Sequence, residues 1–271
     1  MKNTDKCVSP LTEGGIRRHL PEAISQMQIT VYDVTDSTNE RAKEFAASDN
    51  FKDCAFIADC QTAGRGRLDR RFFSPSGVGL YMSILTGRLK NANDGLRVTA
   101  IAAVAVCRAA EKLTGAAPKI KWVNDVYLGG RKLCGILTAG ALSEDGRMKY
   151  TVSGIGVNLH SFDMPTELRE IATTLEDETG KRVDRELFAS SVISEFFSLL
   201  DTDFSAVCEE YRRRSFLIGK EVTVVGSTES YRALVTGIDE DCSLLVERDG
   251  KAAKLSTGEV SIRDFDHKSL H

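Results

Sequence analysis

The chain has 271 residues, of which 42% are hydrophobic and 28% charged, and its formal net charge is −3 at pH 7. This is the composition of a globular protein long enough to bury one large core, or one large and one small. The charge balance provides no overall basic field for nucleic acid or anionic lipid. The polar first residues indicate no secretory signal, and no apolar run is long enough to span a bilayer, so we expect a cytoplasmic protein.

Cysteine and histidine usage argues against a metal site. The seven cysteines stand singly, and no two have Cys-x-x-Cys spacing. Several lie in apolar patterns, so we expect buried free thiols in a reducing compartment. The four histidines show no ligand spacing with the cysteines, and we predict no structural metal.

The N-terminal segment, residues 1–28, contains one possible short helix near residues 15–20. It is too small for a helix-turn-helix domain, which needs several helices and a core of its own. The first predicted strand is at residues 29–32, where β-branched and aromatic residues dominate.

The second predicted helix begins in the sequence DSTNE at residues 36–40. Ser37 and Glu40 have the spacing of a capping box. Ser37, Thr38 and Asn39 are therefore either plain helix-cap residues or part of a ligand site.

A loop rich in arginine and glycine lies between two apolar stretches, residues 55–58 and 80–85. It begins with QTAGRGR at residues 61–67, and four arginines fall within residues 65–71. Guanidinium groups at this density repel one another unless an anion lies among them, and their forked donors suit phosphate or carboxylate. The loop is either a solvated basic surface or an anion site.

The middle of the chain begins with a helix predicted at residues 96–113. It is apolar on most of its circumference, so we expect it to be buried against a sheet. The sequence KIKWVND at residues 119–125 predicts a short strand that ends in two turn-forming side chains, Asn124 and Asp125. A glycine pair at residues 129–130 then predicts a tight hairpin.

The next two predicted strands, at residues 132–137 and 150–158, contain Gly135, Gly154 and Gly156. Glycine weakens a strand, so these three positions indicate places where a ligand or another backbone comes close. Packing alone could explain one of them, but three in neighbouring strands favour a site.

The last third of the chain is polar with helical pieces over residues 162–182, followed by helices predicted at 184–200 and 204–214. Short predicted strands follow at residues 222–224, 231–235, 244–246 and 254–255, separated by turns that include Gly226. Short strands at this spacing predict a small β-barrel.

We place a domain boundary at about residue 217. The predicted organisation is a short segment (1–28), a catalytic domain (29–217) and a barrel (218–265).

Four motifs in this order resemble those of the biotin–protein ligase family. They are DSTN at residues 36–39, QTAGRGR at 61–67, KWVND with RKLCGIL at 121–125 and 131–137, and GIGVN at 154–158. The likeness runs from about residue 30 to 265. It implies an α/β (α+β) fold with a mixed-sheet, biotin/lipoate ligase-like catalytic domain and a small C-terminal SH3-like barrel.

The resemblance implies a monofunctional biotin–[acetyl-CoA-carboxylase] ligase. Biotin and MgATP give biotinyl-5′-AMP and pyrophosphate, and a lysine of a biotin carboxyl carrier protein then attacks the mixed anhydride and releases AMP. The substrates are ATP and biotin, with Mg²⁺ bound to ATP and no metal ligand assigned to the chain. We expect no specific DNA, no membrane, and a monomer or weak homodimer.

The resemblance also implies roles for individual residues. The biotin pocket is expected to comprise Ser37, Thr38, Asn39, Gln61, Gly64, Arg65, Gly66, Arg67, Lys132, Gly135 and Gly154. The nucleotide is expected to contact Arg65, Arg67, Lys121, Trp122, Asn124, Asp125, Lys132 and Asn158. Lys132, Arg67 and Arg65 are the expected catalytic residues, because carboxylate attack on the α-phosphorus brings two anions together and expels a third. Asp125 either orients a cation or a lysine amine, or is a turn residue.

The chain departs from the family pattern at several positions. Val123 replaces the proline of Lys-Trp-Pro-Asn-Asp, a loss of rigidity, and Phe72 stands where the family often has Trp. Leu68 and Asp69 replace a glycine-containing turn, and the Asp69 charge beside the arginines could weaken or re-aim the loop. The bifunctional members carry an N-terminal winged helix, for which we expect no room here.

Three alternatives remain at the level of sequence. A lipoate or octanoate–protein ligase shares the general fold, but an alkyl chain would leave the polar groups of Ser37, Thr38, Asn39 and Gln61 unpaired. A biotin-responsive repressor is disfavoured by the N-terminal segment and the acidic balance. A catalytically silent binding protein would require loss of Lys132 and the arginines, which are present.

Overall fold

A computed structural model describes residues 11–48, 51–68, 70–91, 94–225 and 229–261 of the chain. Its helices are α1 (Glu13–Arg18), α2 (Thr38–Ala46), α3 (Asp94–Thr114), α4 (Thr166–Arg169), α5 (Leu175–Thr179), α6 (Arg185–Leu200) and α7 (Phe204–Arg214), with one 3-10 turn at Glu22–Ile24. The strands of the first sheet are β1 (Gln28–Thr35), β2 (Cys54–Gln61), β3 (Gly79–Thr86), β4 (Lys119–Lys121), β5 (Asp125–Leu128), β6 (Arg131–Leu142) and β7 (Met148–Asn158). Those of the second are β8 (Glu221–Val225), β9 (Ser230–Ile238), β10 (Leu244–Arg248), β11 (Lys251–Leu255) and β12 (Glu259–Ser261).

The first sheet has seven strands in the order β1-β2-β3-β7-β6-β5-β4. Only the β1–β2 pair is parallel; the other neighbours are antiparallel. The predicted mixed sheet is therefore confirmed.

Both faces of the sheet are covered at its centre, as β3 illustrates with eight buried residues out of eight. On one face, β3 contributes Leu80, Met82 and Ile84 to a core shared with α3 and α6. On the other, Leu85 packs with Phe56 and the α2 helix. A strand that is covered on both sides reads as a continuous apolar run, so the single serine within it, Ser83, is conspicuous.

The long helix α3 is buried along most of its length, as the sequence predicted. Its small alanines, such as Ala102, Ala105 and Ala109, are fully enclosed. Small side chains let α3 approach both α6 and the sheet, and the helix ends at Thr114, before the left-handed Gly115.

Two local predictions were wrong. The sequence KIKWVND is not one strand: β4 ends at Lys121, a turn occupies residues 122–124, and Asp125 begins β5. Nor does a capping box form, because Ser37 makes no side-chain hydrogen bond to the helix and Glu40 pairs with Lys43 instead. The polar side chains at the start of α2 are thus available for other contacts.

The five-stranded C-terminal sheet has the order β11-β10-β9-β8-β12 and is antiparallel throughout. It agrees with the predicted small β domain, although Gly226 and residues 262–265 lie outside the described residues. Its boundary near residue 217 stays a prediction. Within the parts of the chain described, no helix is long and apolar enough to cross a membrane.

Two hydrogen bonds join the C-terminal part of the chain to the turn between β4 and β5. The Trp122 indole N–H donates to the Cys242 carbonyl at 2.9 Å, and the Tyr211 hydroxyl donates to the Val123 carbonyl at 2.8 Å. All four residues are buried. Because buried hydrogen bonds are costly to break, this turn is held firmly at one end of the sheet.

Candidate active site

One large cavity of about 1590 Å³ opens over the face of the sheet, between the start of α2, the arginine loop, β4–β7 and the C-terminal sheet. Every site residue predicted from the sequence lines it except Gly64. A Cβ at Gly64 would lie 2.7 Å from both the Phe72 carbonyl oxygen and the Ser74 hydroxyl. Gly64 therefore lets the loop close on itself rather than facing the cavity.

A buried polar cluster forms one end of the cavity. Thr38 and Asn39 are almost fully buried, and Gln61 Oε1 accepts a hydrogen bond from the Thr38 backbone N–H at 2.9 Å. The Gln61 amide nitrogen donates to the Ser74 hydroxyl at 3.1 Å. Behind them, Ser83 Oγ contacts Thr38 Oγ1 and Asn39 Oδ1.

Ser74 and Ser83 are absent from the sequence-based prediction. Ser83 could have been found, because a serine hydroxyl inside the apolar strand YMSIL is expensive to bury without a partner. Ser74 gives no such signal, because serine is ordinary in a loop.

Glycines make room for side chains in the floor of the cavity. A Cβ at Gly154 would lie 2.3 Å from Asn39 Oδ1, and one at Gly156 would lie 2.6 Å from the Phe72 ring. A Cβ at Gly135 would come within 3.2–3.4 Å of Lys132 and Phe72. The groups that approach these glycines are side chains of the site, whereas the sequence predicted a ligand or another backbone.

The arginine loop folds back on itself and reaches the C-terminal sheet. Arg65 and Arg71 form an antiparallel bridge. Arg67 donates to Asn124 Oδ1 at 3.1 Å and to the Gly258 carbonyl at 2.8 Å. Arg67 is therefore the loop's link to two other parts of the site. The predicted effect of the Asp69 charge on the loop concerns a position outside the described residues.

Lys132 and Asp125 face each other across the β5–β6 pair. Their charged atoms, Nζ and Oδ1, are 2.7 Å apart, but Oδ1 has no partner with hydrogen-bond geometry among the described residues. The contact is thus an ion pair without good hydrogen-bond geometry. An anionic ligand that binds the Lys132 ammonium more strongly can rearrange it. No metal-ligating group of three or more His, Cys, Asp or Glu occurs in the described parts of the chain.

The backbone around Lys132 is fixed by the segment that follows β7. The Lys132 N–H donates to the Ile171 carbonyl at 2.9 Å, and its carbonyl accepts from the Thr173 N–H at 2.9 Å. The Asn158 side chain donates to the Thr173 carbonyl at 3.1 Å. This segment closes the side of the cavity that Asn158 lines.

Lys121 and Trp122 border the cavity near the C-terminal sheet. The Lys121 ammonium lies 6.0 Å from the centroid of the Tyr127 ring. The indole N–H of Trp122 is already used on Cys242, so Trp122 has only apolar surface to offer a ligand.

Comparison with known proteins links this geometry to a family. Residues 31–158 match the Biotin/lipoate A/B protein ligase family, and residues 217–263 match the biotin protein ligase C-terminal domain. The chain is 31% identical over 222 residues to the biotin–[acetyl-CoA-carboxylase] ligase of Paracoccus denitrificans, covering 78% of this chain and 91% of the relative. It is 29% identical to the bifunctional ligase/repressor BirA of Bacillus subtilis strain 168, covering 93% and 79%.

A solved structure agrees with the sequence relatives. The biotin protein ligase from Aquifex aeolicus in complex with biotin and ATP superposes with a TM-score of 0.72 and 28% identity, over 87% of this chain and 98% of that one.

Proposed function

The chain belongs to the Biotin/lipoate A/B protein ligase family and is a biotin protein ligase, and on that premise we propose how its own residues serve the reaction. The observation that supports the assignment of roles is the cavity itself. It places the buried polar cluster of Thr38, Asn39 and Gln61 in one space with the cations of Arg67 and Lys132. The polar cluster suits a cyclic urea such as the ring of biotin. The two cations suit the carboxylate tail of biotin and the phosphates of ATP.

The polar cluster binds the ureido ring of biotin. A urea has two N–H donors and one carbonyl acceptor, so it can pair with the hydroxyls of Ser37 and Thr38 and the amides of Asn39 and Gln61. Gly135 and Gly154 leave room in this part of the floor for the side chains of Lys132 and Asn39, which a Cβ at either glycine would crowd.

The cationic end offsets charge in the first step. A biotin carboxylate oxygen attacks the α-phosphorus of ATP, a new O–P bond forms, and the bond to the leaving pyrophosphate breaks. Under this proposal Lys132 bridges the carboxylate and the α-phosphate, and Arg65 and Arg67, which line the same cavity, contact the phosphate oxygens. The protein positions these groups and screens their charge without a covalent nucleophile.

The remaining predicted residues surround the nucleotide. We assign Asn124 and Asn158 polar contacts there, Lys121 a phosphate contact and Trp122 an apolar one. Asp125 lines the cavity, and its Oδ1 is 2.7 Å from Lys132 Nζ, so we assign it the role of orienting that amine or a cation brought with the nucleotide. Mg²⁺ bound to ATP would neutralise phosphate charge during attack.

The second step transfers the biotinyl group. A lysine amine of a biotin carboxyl carrier protein attacks the carbonyl carbon of biotinyl-5′-AMP, the amine loses a proton, and AMP leaves. The carrier belongs to a biotin-dependent carboxylase under this proposal, and the use of ATP supports the cytoplasmic location predicted above. A monomer or weak homodimer stays the predicted assembly.

The activity is tested by incubating the protein with labelled biotin, MgATP and a purified carrier domain. We expect pyrophosphate release that depends on biotin, and label on one carrier lysine. Activity with lipoate or octanoate and none with biotin would overturn the assignment.

We also propose that the protein does not bind DNA specifically. The net charge of −3 opposes non-specific phosphate contact. The first described helix, α1, has only six residues and is tied to α6 through Thr12 and Glu186, whose side chains are 2.7 Å apart. A sequence-specific, biotin-dependent gel shift at physiological salt would contradict this.

A further inference from the structure

A serine that the reaction scheme does not use lies directly behind the polar cluster. Ser83 is in the middle of β3, is 0% exposed, and pairs with Gly154 on the neighbouring strand. Its Oγ is 2.7 Å from Thr38 Oγ1 and 2.6 Å from Asn39 Oδ1. One hydroxyl therefore touches two side chains of the biotin pocket.

The direction of these hydrogen bonds follows from which atoms carry hydrogen. The Leu137 carbonyl can only accept, so the Asn39 atom 3.2 Å away is the amide nitrogen, and Asn39 Oδ1 faces Ser83. Because Oδ1 has no hydrogen, Ser83 must donate its single hydrogen to it. Thr38 must then donate to Ser83 across the 2.7 Å contact.

This relay, from Thr38 through Ser83 to Asn39, decides what Thr38 offers to the cavity. The Thr38 hydrogen is used on Ser83, so the 3.2 Å contact between Thr38 Oγ1 and Gln61 Oε1 carries no hydrogen. Gln61 Oε1 is held by the Thr38 backbone N–H instead. Thr38 lines the cavity, and with its hydrogen committed to Ser83 its Oγ1 has only lone pairs to offer a ligand there, which accept from an N–H and repel a carbonyl.

We propose that Ser83 is a positioning residue that sets specificity for a cyclic urea, because it fixes Thr38 Oγ1 as the acceptor for a ureido N–H. The inference rests on the proposed function and extends it to a residue outside the ligand contacts. An acyl tail or a dithiolane ring has no N–H to donate, so either would leave this acceptor unpaired in a buried site.

The test compares Ser83→Ala with Ser153→Ala. Ser153 is a matched control: it is equally buried, it lies on the adjacent strand β7 next to Gly154, and its hydroxyl has no hydrogen-bond partner among the described residues. Side chains alternate along a strand, so Ser153 faces away from the cavity. Both variants lose one buried hydroxyl.

Without Ser83, the Thr38 hydrogen is free to turn towards Gln61 or the cavity, and a well-placed acceptor becomes a competing donor. We expect Ser83→Ala to raise the KM for biotin about tenfold, which corresponds to the loss of one buried hydrogen bond. The KM for ATP and kcat should stay within about twofold of wild type, as should all three constants in Ser153→Ala. Thermal unfolding establishes that each variant is folded at the assay temperature.

A double-mutant cycle separates this role from simple packing. If Ser83 acts through the Thr38 hydroxyl, Ser83→Ala should add less than about twofold to the biotin KM in a Thr38→Val background, where no hydroxyl remains to be oriented. Independent structural effects would multiply instead. Ser83→Cys, which keeps the volume but donates weakly, carries the same comparison if the alanine variant does not fold.

The outcomes distinguish the two levels of the proposal. A wild-type protein without biotin-dependent pyrophosphate release would remove the proposed function itself. If the wild type is active but the Ser83 variants bind biotin normally, only the role of Ser83 is refuted. The same holds if kcat falls and both KM values rise together in these variants.

Discussion

At the scale of single residues, the proposed site depends on charged side chains, such as Lys132, that a ligand can reach. Lys132 is paired with Asp125 at 2.7 Å, yet its side chain keeps 34% of its surface exposed. An exposed lysine head contributes little to folding. It is therefore free to serve the anions of the reaction.

Lys132→Ala should remove about 3–4 kcal/mol of stabilisation from the adenylation transition state, a rate loss of roughly several hundred-fold. Pyrophosphate release in single turnovers measures it. Arg131→Ala is the matched control, because Arg131 is the preceding residue of the same strand and pairs with Glu178. Near-normal adenylation by Lys132→Ala would show that the pocket is assigned wrongly.

A second residue-scale prediction concerns pH. Burial lowers the pKa of His160 from its usual 6.5, and the charge of Arg182 lowers it further. The hydrogen-bonding carbonyls of Val183 and Gly77 and the charge of Glu176 raise the pKa, but by less. The unfolded chain then takes up the proton first. The stabilising contribution of His160 is complete above about pH 6.5 and is lost as pH falls through the lower, folded-state pKa.

We therefore expect the Tm to fall between about pH 7.5 and about pH 5, and to fall less in His160→Gln, whose amide does not titrate. Carboxylates titrate alike in both proteins, so the difference between the two curves isolates His160. His19→Gln, at an exposed position, controls for loss of an imidazole. Parallel curves for His160→Gln and wild type would refute this contribution.

At the scale of elements, the sequence predicted secondary structure best where a single pattern of apolar residues extended over many residues. Helix α3 was predicted at residues 96–113 and is found at Asp94–Thr114, because a helix that is apolar on most of its circumference has to be buried. The motif residues converge on one cavity because they lie at strand ends and at the positions of β6 and β7 on the side of the sheet that faces the cavity. These patterns are local.

What could not be predicted depends on contacts between distant parts of the chain. The turn at residues 122–124 is set by Trp122 and Val123 bonding to Cys242 and Tyr211, about which the strand pattern says nothing. The capping box failed for a local reason instead, because Glu40 pairs with Lys43, three residues along the same helix. Ser83 itself could have been singled out as a buried hydroxyl, but its partners Thr38 and Asn39 could not, because they lie on α2, more than 40 residues away.

The glycine of β7 nearest this cluster supplies an element-scale prediction. A Cβ at Gly154 would lie 2.3 Å from Asn39 Oδ1, and Asn39 is held by Ser83 and Leu137. Asn39 cannot yield cheaply, so Gly154→Ala should cost about 1–3 kcal/mol in stability and raise the Kd for biotin at least about tenfold. Titration calorimetry with biotin and thermal unfolding measure the two effects.

Gly237→Ala is the control, because Gly237 is also a strand glycine and its added Cβ would meet only Leu245, at an ordinary 3.7 Å. We expect it to bind biotin like wild type. Equal affinities for Gly154→Ala and Gly237→Ala would mean that Asn39 moves easily and does not shape the pocket.

At the scale of the whole molecule, Arg67 connects three parts of the structure: the arginine loop, the turn after β4 through Asn124, and the C-terminal sheet through Gly258. An arginine held by two uncharged acceptors gains a stronger partner when phosphate arrives. We predict that biotinyl-5′-AMP orders residues 61–71, because the clustered guanidinium groups repel until an anion screens them. Hydrogen exchange of the loop with and without the adenylate measures this.

Replacing Arg67 by Gly should loosen that closure while leaving Lys132 and the biotin pocket in place. Adenylation should then continue in part, but the mixed anhydride would no longer be shielded from water and stray amines. We expect Arg67→Gly to biotinylate an unrelated protein, such as serum albumin, clearly more than wild type does. Arg71→Gly removes the same charge from the same loop, but the contact that the described residues show for its side chain is with the Thr62 carbonyl, within the loop, so it should label albumin less. Two results together would contradict this role: equal labelling by wild type and Arg67→Gly, and backbone amides in the ligand-free loop as protected from exchange as those of the flanking strands. The loop would then be a static phosphate-binding segment that Arg67 does not close.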